Sequence, residues 1–559
     1  MAIQLVECVP NFSEGRDQSI IQAIADAMRS VEGVSVLDVD PGADTNRTVY
    51  TFVGAPEAVL EAAFRAIRVG VERIDMQKHH GEHARLGAAD VTPFVPVSGV
   101  TMEECVKLAH RLGKRVGEEL GVPVYLYEAA ATSEQRRSLP DIRSGEYEGL
   151  AKKLEDPAWK PDYGPAEFKP RSGAFVIGAR KFLIAYNINL NTRDPKLANE
   201  IAIEVRERGR LQRDANGNKI LGEDGVPLRT RGRLAECKAT GWYIEDYGQA
   251  QVSMNLTDHH VTPVHLALET VREEAQKRGL VVTGSELVGL MPKDAILEAG
   301  KYYLKRQGRS WGVPERELID IAIASMGLSQ LSPFDPNKKI IELSVEKSDG
   351  KLVQRSVTEF VDECSSESPA PGGGSVAALS GALGAGLVSM VANLTVGKKG
   401  YEQSWEEMKE VAAEAQGIKD HFVVAVDRDT EAFNAVMAGF RMPKGTSDQI
   451  AARDAAIEQA TKTATLVPFG VLKEVPRALE LALVVAEKGN KNSASDAGVA
   501  ASALRTAAQG AWLNVRINLG NLKDDEFRQQ LLEQGTQILR AVQEAADAVQ
   551  RVVDGNIGG

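Results

Sequence analysis

The stretch IDMQKHHGEHARLGAADVTPF, residues 74–94, places His79, His80 and His83 within five positions of a chain that has eight histidines in all. An imidazole changes charge near neutral pH, so such a cluster suits a general base or a metal nest. His79 and His83 stand at the i, i+4 spacing that two ligands on one helix face would use. Gly81 and the following ARLGAAD disfavour a helix there, and Glu82 is the sole adjacent candidate for a third ligand. Spacing alone leaves three readings open: a base, a metal ligand, or an exposed polar turn. A base needs an orienting partner. In LDVDPGADTNRT (37–48), Asp38 and Asp40 alternate along a strand and share a face, whereas Asp44 fits turn chemistry.

A second constellation lies in EEMKEVAAEAQGIKDHFVVAVDRDTEAFNAVMAGF (406–440). Its apolar residues step by three or four: Met408, Val411, Ala415, Ile418, Phe422, Val426, then Phe433, Met437 and Phe440. Asp429 fills the one gap. A carboxylate on a core stripe is costly unless satisfied, and burial raises its pKa, which makes Asp429 a candidate acid or base or, equally, half of a packing ion pair. Asp427 and Glu431 fall off the stripe. SPAPGGGSVAAL (368–379) sets three glycines and Ser375 where a helix begins, an end that can cradle an anion or simply cap the helix. Arg441, Lys444, Asn514 and Asn518 add polar groups beside apolar ones.

Two kinds of scaffold must position these groups. In the first third, VSVLDVD and RTVYTFVG read as strands, and SIIQAIADAMRSV and PEAVLEAAFRAIRVGVERI as amphipathic helices. The order then repeats: AYNINLNTRDPKLANEIAIEVRERG echoes CVPNFSEGRDQSIIQAIADAMRS, and GWYIEDYGQAQVSMNLTD with PVHLALETVREEAQKRG echoes the strand pair and helix. This implies two α/β subdomains of similar build, 1–180 and 181–330, with a cleft between them suited to a ligand. A proline-rich stretch at 157–173 reads as a long loop, and 213–232 as an exposed hairpin excursion. After a linker at 331–355 the composition turns alanine-rich and helical, so 356–559 reads as an all-α bundle. The fold class is therefore an α/β (α+β) two-subdomain unit followed by a helical bundle.

A net charge of −12 argues against a nucleic-acid partner. Cys8, Cys105, Cys237 and Cys364 are far apart and form no CxxC pair, which fits reduced thiols in a cytoplasmic protein. Residues 376–396 carry no charge over 21 positions, but their Ala, Gly and Ser content fits close helix contact in a bundle rather than a membrane span. The Ala-rich helices also suggest self-association into a homo-oligomer.

Taken together, LVECVPNFSEGRD, LDVDPGADTNRTVYTFVG, GEHARLGAADVTPF, GARKFLIAYNINL, GSELVGLMP, PAPGGGSVAA and VDRDTEAF resemble the bifunctional formiminotransferase–cyclodeaminase family over nearly the whole chain. The resemblance implies transfer of a formimino group from N-formimino-L-glutamate to N5 of tetrahydrofolate. Closure of 5-formiminotetrahydrofolate to 5,10-methenyltetrahydrofolate with loss of ammonia follows, in histidine degradation. It implies His83 as the transferase base, supported by Asp40, and Asp429 as the deaminase acid and base. It places folate at Gly164, Pro165, Ala166, Glu167, Phe168, Lys169, Pro170, Arg171, Ser172 and Gly173. Gly372, Gly373, Gly374 and Ser375 become candidates for anionic parts of a polyglutamylated folate, with Arg47, Arg180, Lys181, Arg441 and Lys444. Neither reaction requires a metal. Formyl transfer with methenyltetrahydrofolate cyclohydrolase activity, or folate binding without catalysis, are the competing expectations.

Overall fold

The computed structural model describes residues 4–43, 45–81, 84–222, 225–345 and 351–557. The chain divides into two compact units, Met1–Ile296 with Met326–Glu346, and Leu297–Ser325 with Lys347–Gly559.

The first unit begins β1 (Leu5–Cys8), β2 (Asn11–Phe12), α1 (Gln18–Arg29), β3 (Val34–Gly42), β4 (Arg47–Gly54), α2 (Pro56–Arg73), β5 (Ala89–Ser98) and α3 (Met102–Arg115). β6 (Val124–Glu128), α4 (Leu139–Arg143), α5 (Glu146–Glu155) and β7 (Phe175–Ala179) complete a seven-stranded sheet. Across it the lanes run β3, β4, then β1 and β2 end to end, then β5, β7 and β6, with the last two pairings parallel. Val6, Cys8, Phe12, Tyr50, Phe52 and Phe94 point to one face and pack on α1, α2 and α3. A smaller core around Val91, Tyr125, Tyr127, Ile142 and Leu150 covers part of the other face.

The second half of this unit comprises β8 (Ile184–Leu190), α6 (Pro195–Val205), β9 (Arg210–Leu211), β10 (Arg229–Thr230), β11 (Cys237–Ile244), β12 (Gln249–Leu256), α7 (Val264–Gln276) and β13 (Val282–Val288). Its sheet order is β11-β12-β8-β13. Mapped onto the first half, this is the same lane order as β3-β4-β1-β5, a split βαβ arrangement in both. The echo in sequence is thus a repeat of topology. The repeated Arg-Asp has a physical role in each copy: Asp17 accepts from the Ser19 N–H at the start of α1, and Asp194 from the Lys196 N–H at the start of α6. β9 pairs antiparallel with β10, and bridges at Arg213–Lys219 and Leu221–Pro227 continue the expected hairpin.

α8 (Lys293–Arg306), α9 (Glu315–Met326), α10 (Pro336–Lys339) and α11 (Ile341–Val345) follow. Within the expected linker at 331–355 the described residues hold α10, α11 and a helical turn at Leu352–Gln354, and Asp335 caps the first of these helices.

The helical unit contains α12 (Val357–Cys364), α13 (Gly373–Thr395), α14 (Trp405–Arg441), α15 (Ser447–Lys488), α16 (Ala494–Leu519) and α17 (Asp525–Ile557). α13 lies against α14 and α16, and its small residues explain why. A Cβ on Gly381 would meet the Phe422 ring at 2.9 Å, and one on Gly384 would meet Leu504 at 2.7 Å. α13 is the one described helix long and apolar enough to cross a membrane, yet most of it is buried inside the bundle. Val376, Leu383, Met390 and Leu394 are its exposed apolar residues.

Candidate active sites

Among the described residues of the histidine stretch, 79–81 and 84–85 are not helical. A short turn at Met76–Lys78 ends at His79 in extended backbone. His79 is buried and its tautomer is fixed by its partners: Nε2–H donates to the Asn46 carbonyl at 2.7 Å, and Nδ1 accepts from Arg85 Nε at 3.3 Å. Burial lowers its pKa, so it stays neutral. His79 is therefore a structural histidine with both nitrogens engaged. His83, with Glu82 and Asp44, lies outside the described residues. Among the described residues the fold assembles one other histidine–acid group, His259, His260 and Asp294, whose ligand-type atoms lie within 4.8 Å of one another.

Residues 79–81 are clamped to the β3–β4 connection. Asn46 takes a left-handed conformation with φ of 46°, its amide donates to the His80 carbonyl, and its Oδ1 accepts from the Gly15 N–H. A Cβ on Gly81 would fall 2.2 Å from the Thr45 carbonyl oxygen, so only glycine allows this approach. Asp40 sits in a register row with Val49, Asn11 and Val91, and cross-strand partners share a face. That face is the one turned away from α1, α2 and α3. Arg47 is half-buried on the same side, with Asp90, Arg143 and Asp40 as its charged neighbours. Arg143 pairs with Asp90, which is fully buried.

The loop expected at folate is ordered and joins the same neighbourhood. Gly164 and Gly173 have φ of 78° and 69°, and a Cβ on either would meet a carbonyl oxygen at 2.2 Å, of Val122 and of Leu86. The Arg171 carbonyl accepts from the Met76 N–H, and the Ser172 carbonyl from the Ala88 N–H. Tyr147 donates to the Pro170 carbonyl and its ring lies 5.5 Å from that of Phe168. Lys169 pairs with Glu167. The far end of the loop is thus held against both flanks of the histidine stretch.

Arg180 and Lys181 open onto a groove of about 930 Å³ between the two halves of this unit. Arg137, Arg206, Arg208 and Lys238 join them, against Glu128, Glu207 and Glu236. Sequence reasoning missed the added four because they come from three segments far apart in the chain, Arg137, Arg206 with Arg208, and Lys238. It also missed Glu7, which is buried on β1; burial pushes its carboxyl up to about 7, even with the Arg180 guanidinium opposing.

In the helical unit, Asp429 lines a cavity of about 580 Å³. Its apolar wall is Phe433, Val436, Met437 and Ile457; Asn514, Asn518 and Asn521 form another side; Arg453, Asp454, Glu458 and Lys523 add charge. The stripe on α14 divides at Asp429. Residues before it, such as Phe422 and Val426, are buried in the core, whereas Phe433, Met437 and Phe440 face the cavity. No cation pairs with Asp429 among the described residues, so the ion-pair alternative is not realised. Burial raises its pKa, and the Ser375 hydroxyl and N–H partly offset the shift. Ser375 Oγ lies 2.9 Å from the Val426 carbonyl and 3.2 Å from Asp429 Oδ2. With its proton on Val426, that oxygen can accept one from a protonated Asp429.

The glycine run serves this carboxyl. A Cβ on Gly374 would fall 2.1 Å from Asp429 Oδ1, and Ser375 is fully buried. Gly372 and Gly373 line the cavity, whereas Gly374 and Ser375 hold Asp429 in place of an external anion. Arg441 and Lys444 are not among the cavity-lining residues, which include the cations Arg453 and Lys523 instead. Asp427 accepts from the Leu352 N–H and is structural, and Glu431 is exposed.

The N-terminal subdomain model of the formiminotransferase domain matches residues 5–180, the formiminotransferase domain model 185–346, and the formiminotransferase-cyclodeaminase model 356–537. The formimidoyltransferase-cyclodeaminase of Gallus gallus is 44% identical over 548 residues, 98% of this chain and 98% of its own length. The chain belongs to the formiminotransferase-cyclodeaminase family. A glutamate formimidoyltransferase of Thermoplasma acidophilum is 44% identical over 319 residues, covering 56% of this chain and 98% of that protein. A methenyltetrahydrofolate cyclohydrolase of Methylorubrum extorquens is 42% identical over 179 residues, covering 32% of this chain and 86% of that protein. The transferase models thus fall on residues 5–346 and the cyclodeaminase model on 356–537, and tetrahydrofolate is the family's co-substrate.

Proposed function

We propose that the first unit moves the formimino group of N-formimino-L-glutamate to N5 of tetrahydrofolate, releasing glutamate. The helical unit then closes 5-formiminotetrahydrofolate to 5,10-methenyltetrahydrofolate and releases ammonia. In the first step N5 attacks the formimino carbon and becomes acidic as the new bond forms. A neutral imidazole at His83 takes that proton, and Asp40 supports the imidazolium. The loop Gly164–Gly173 carries the pterin end of folate. The groove with Arg180, Lys181, Arg206, Arg208 and Lys238 takes the glutamate tail, and a tail of several carboxylates would use its cations best.

In the second step N10 attacks the same carbon and the amine leaves with a proton added. Asp429 carries that proton, because a carboxyl with a raised pKa can both accept and release it near neutral pH. Phe433 and Met437 offer an apolar wall for the ring, and Arg453 and Lys523 cations for carboxylates. One observation carries this reading above the rest: a carboxyl with no cationic partner among the described residues, seated on a helix stripe, lines a cavity in the unit whose relatives act on formimino or methenyl folates.

Oxygen in place of nitrogen on the transferred carbon is the competing reading, supported by the cyclohydrolase relative of the helical unit. Separate incubations of tetrahydrofolate with N-formiminoglutamate and with N-formylglutamate distinguish the two: the first should give methenyl with one ammonia released per methenyl group, and methenyl formed only from the formyl donor would favour the oxygen chemistry. We also propose a homo-oligomer in the cytoplasm. The exposed Val376, Leu383, Met390 and Leu394 on α13, with Val499, Leu513 and Ile517 on α16, are a large apolar surface for a chain that stands alone.

A further inference from the structure

Among the groups around the helical cavity, two amides have their orientation fixed by acceptors that cannot donate. Asn514 Nδ2 donates to the Gly510 carbonyl at 2.9 Å, and Asn518 Nδ2 to the Ala464 carbonyl at 2.9 Å. Each side chain therefore keeps Oδ1 for something else, and both residues line the cavity. Among the described residues no hydrogen bond reaches either Oδ1. The two amides are not equivalent. Gly373 stands next to Asn514, with a Cβ built there 3.2 Å from Nδ2 and 3.8 Å from Oδ1, and the next residue, Gly374, presses on Asp429. Asn514 is thus the amide at the Asp429 end, and Asn518 lies one helical turn further along.

We infer that Asn514 Oδ1 is the acceptor for the nitrogen that leaves as ammonia, and that it favours an amine over a hydroxyl leaving group; this rests on the ring-closure reading above. The bookkeeping of the step explains the need. With the formimino group entering as its amidinium, CH=NH2+, N10 forms a bond to that carbon while the C=N π pair moves to the exocyclic nitrogen. The N10 proton passes through Asp429 to that nitrogen. The N5 lone pair then expels it as ammonia, leaving the methenyl cation. Charge and atoms balance without another reactant. As the nitrogen gains its third proton, the positive charge that the amidinium shared with N5 localises on it, and a charge-assisted hydrogen bond is stronger than a neutral one. An acceptor fixed in advance thus stabilises the transition state more than the ground state, which raises kcat rather than lowering KM. A hydroxyl leaving group has one fewer hydrogen to donate at each stage.

The test compares ring closure of supplied 5-formiminotetrahydrofolate with hydration of 5,10-methenyltetrahydrofolate by the full chain. Asn514→Ala should lower kcat for ammonia release about 10- to 100-fold, the range for losing one charge-assisted hydrogen bond, with KM within about 2-fold. Hydration should fall by a smaller factor, so the ratio of the two activities shifts. Asn518→Ala should leave that ratio as in the wild type. Should Asn514→Ala fold poorly, Asn514→Ser gives the same comparison with less volume lost. Equal loss of both activities, or loss of neither, overturns the assignment. A wild-type chain that cannot close the ring at all overturns the parent reading first.

Discussion

Gly374→Ala is the most informative single-atom perturbation of the helical site. The added Cβ would sit 2.1 Å from Asp429 Oδ1, 2.4 Å from Cγ and 2.5 Å from Oδ2. An ordinary carbon–oxygen contact is about 3.3 Å, so the carboxyl must retreat by about 1 Å. Misplacement on that scale can cost about 100-fold in rate. Overpacking costs about 1–3 kcal/mol, offset by up to about 1 kcal/mol from replacing glycine in a helix. Stability should therefore fall by about 3 kcal/mol or less while ring closure collapses and formimino transfer continues. Gly386→Ala, on the same helix with nothing within 4 Å of its added methyl, is the matched control and should lose neither. Stopped-flow ring closure of supplied 5-formiminotetrahydrofolate, beside a thermal melt of each variant, reads both quantities. A Gly374→Ala chain that closes the ring at the wild-type rate would refute the idea that Asp429 acts from a fixed position.

The buried Glu7 gives a pH-dependent stability. Its folded pKa is raised from 4.5 to about 7, so the folded state holds a proton that the unfolded state has released between those values. Stability from this group is present below pH 4.5 and declines as pH rises to 7, by about 3 kcal/mol; Glu7→Gln should remove that decline, which melts at pH 5 and 8 would read. In the basic groove, replacing Arg208 and Lys238 together by Gln should raise KM for polyglutamylated tetrahydrofolate more than for the monoglutamate. The difference should shrink at high salt, and equal effects on both folates would remove the tail from this groove. On the helical unit, Ile517→Lys, at a residue 69% exposed, should lower the oligomeric mass in light scattering without lowering the melting temperature of the fold; an unchanged mass would place the interface elsewhere.

Much of this was legible in sequence because the relevant signals are periodic. The step of three or four along α14 isolates Asp429, and the fold places it where that stripe turns from core to cavity. The repeated strand–helix order is likewise a local pattern, anchored by Asp17 and Asp194 as helix caps. What escaped depends on contacts between distant segments. Nothing in PGGGS says whether its backbone meets an outside anion or a carboxylate from α14; the close approach of Gly374 to Asp429 decides that. His79 and His80 look alike in sequence, but only His79 is buried with both nitrogens held, by Asn46 and Arg85. The cations of the groove come from the loop after β6, the end of β7, the turn after α6 and β11, and no window of sequence contains them together.

The account rests on two proton-handling sites that can be switched off separately. Its most direct test uses His83→Ala and Asp429→Asn chains with formiminoglutamate and tetrahydrofolate. The Asp429→Asn chain should consume formiminoglutamate and accumulate 5-formiminotetrahydrofolate without ammonia. Adding the His83→Ala chain should then convert that pool to 5,10-methenyltetrahydrofolate and ammonia. Wild-type ammonia release from Asp429→Asn alone, or failure of folded His83→Ala to convert the pool, would contradict it.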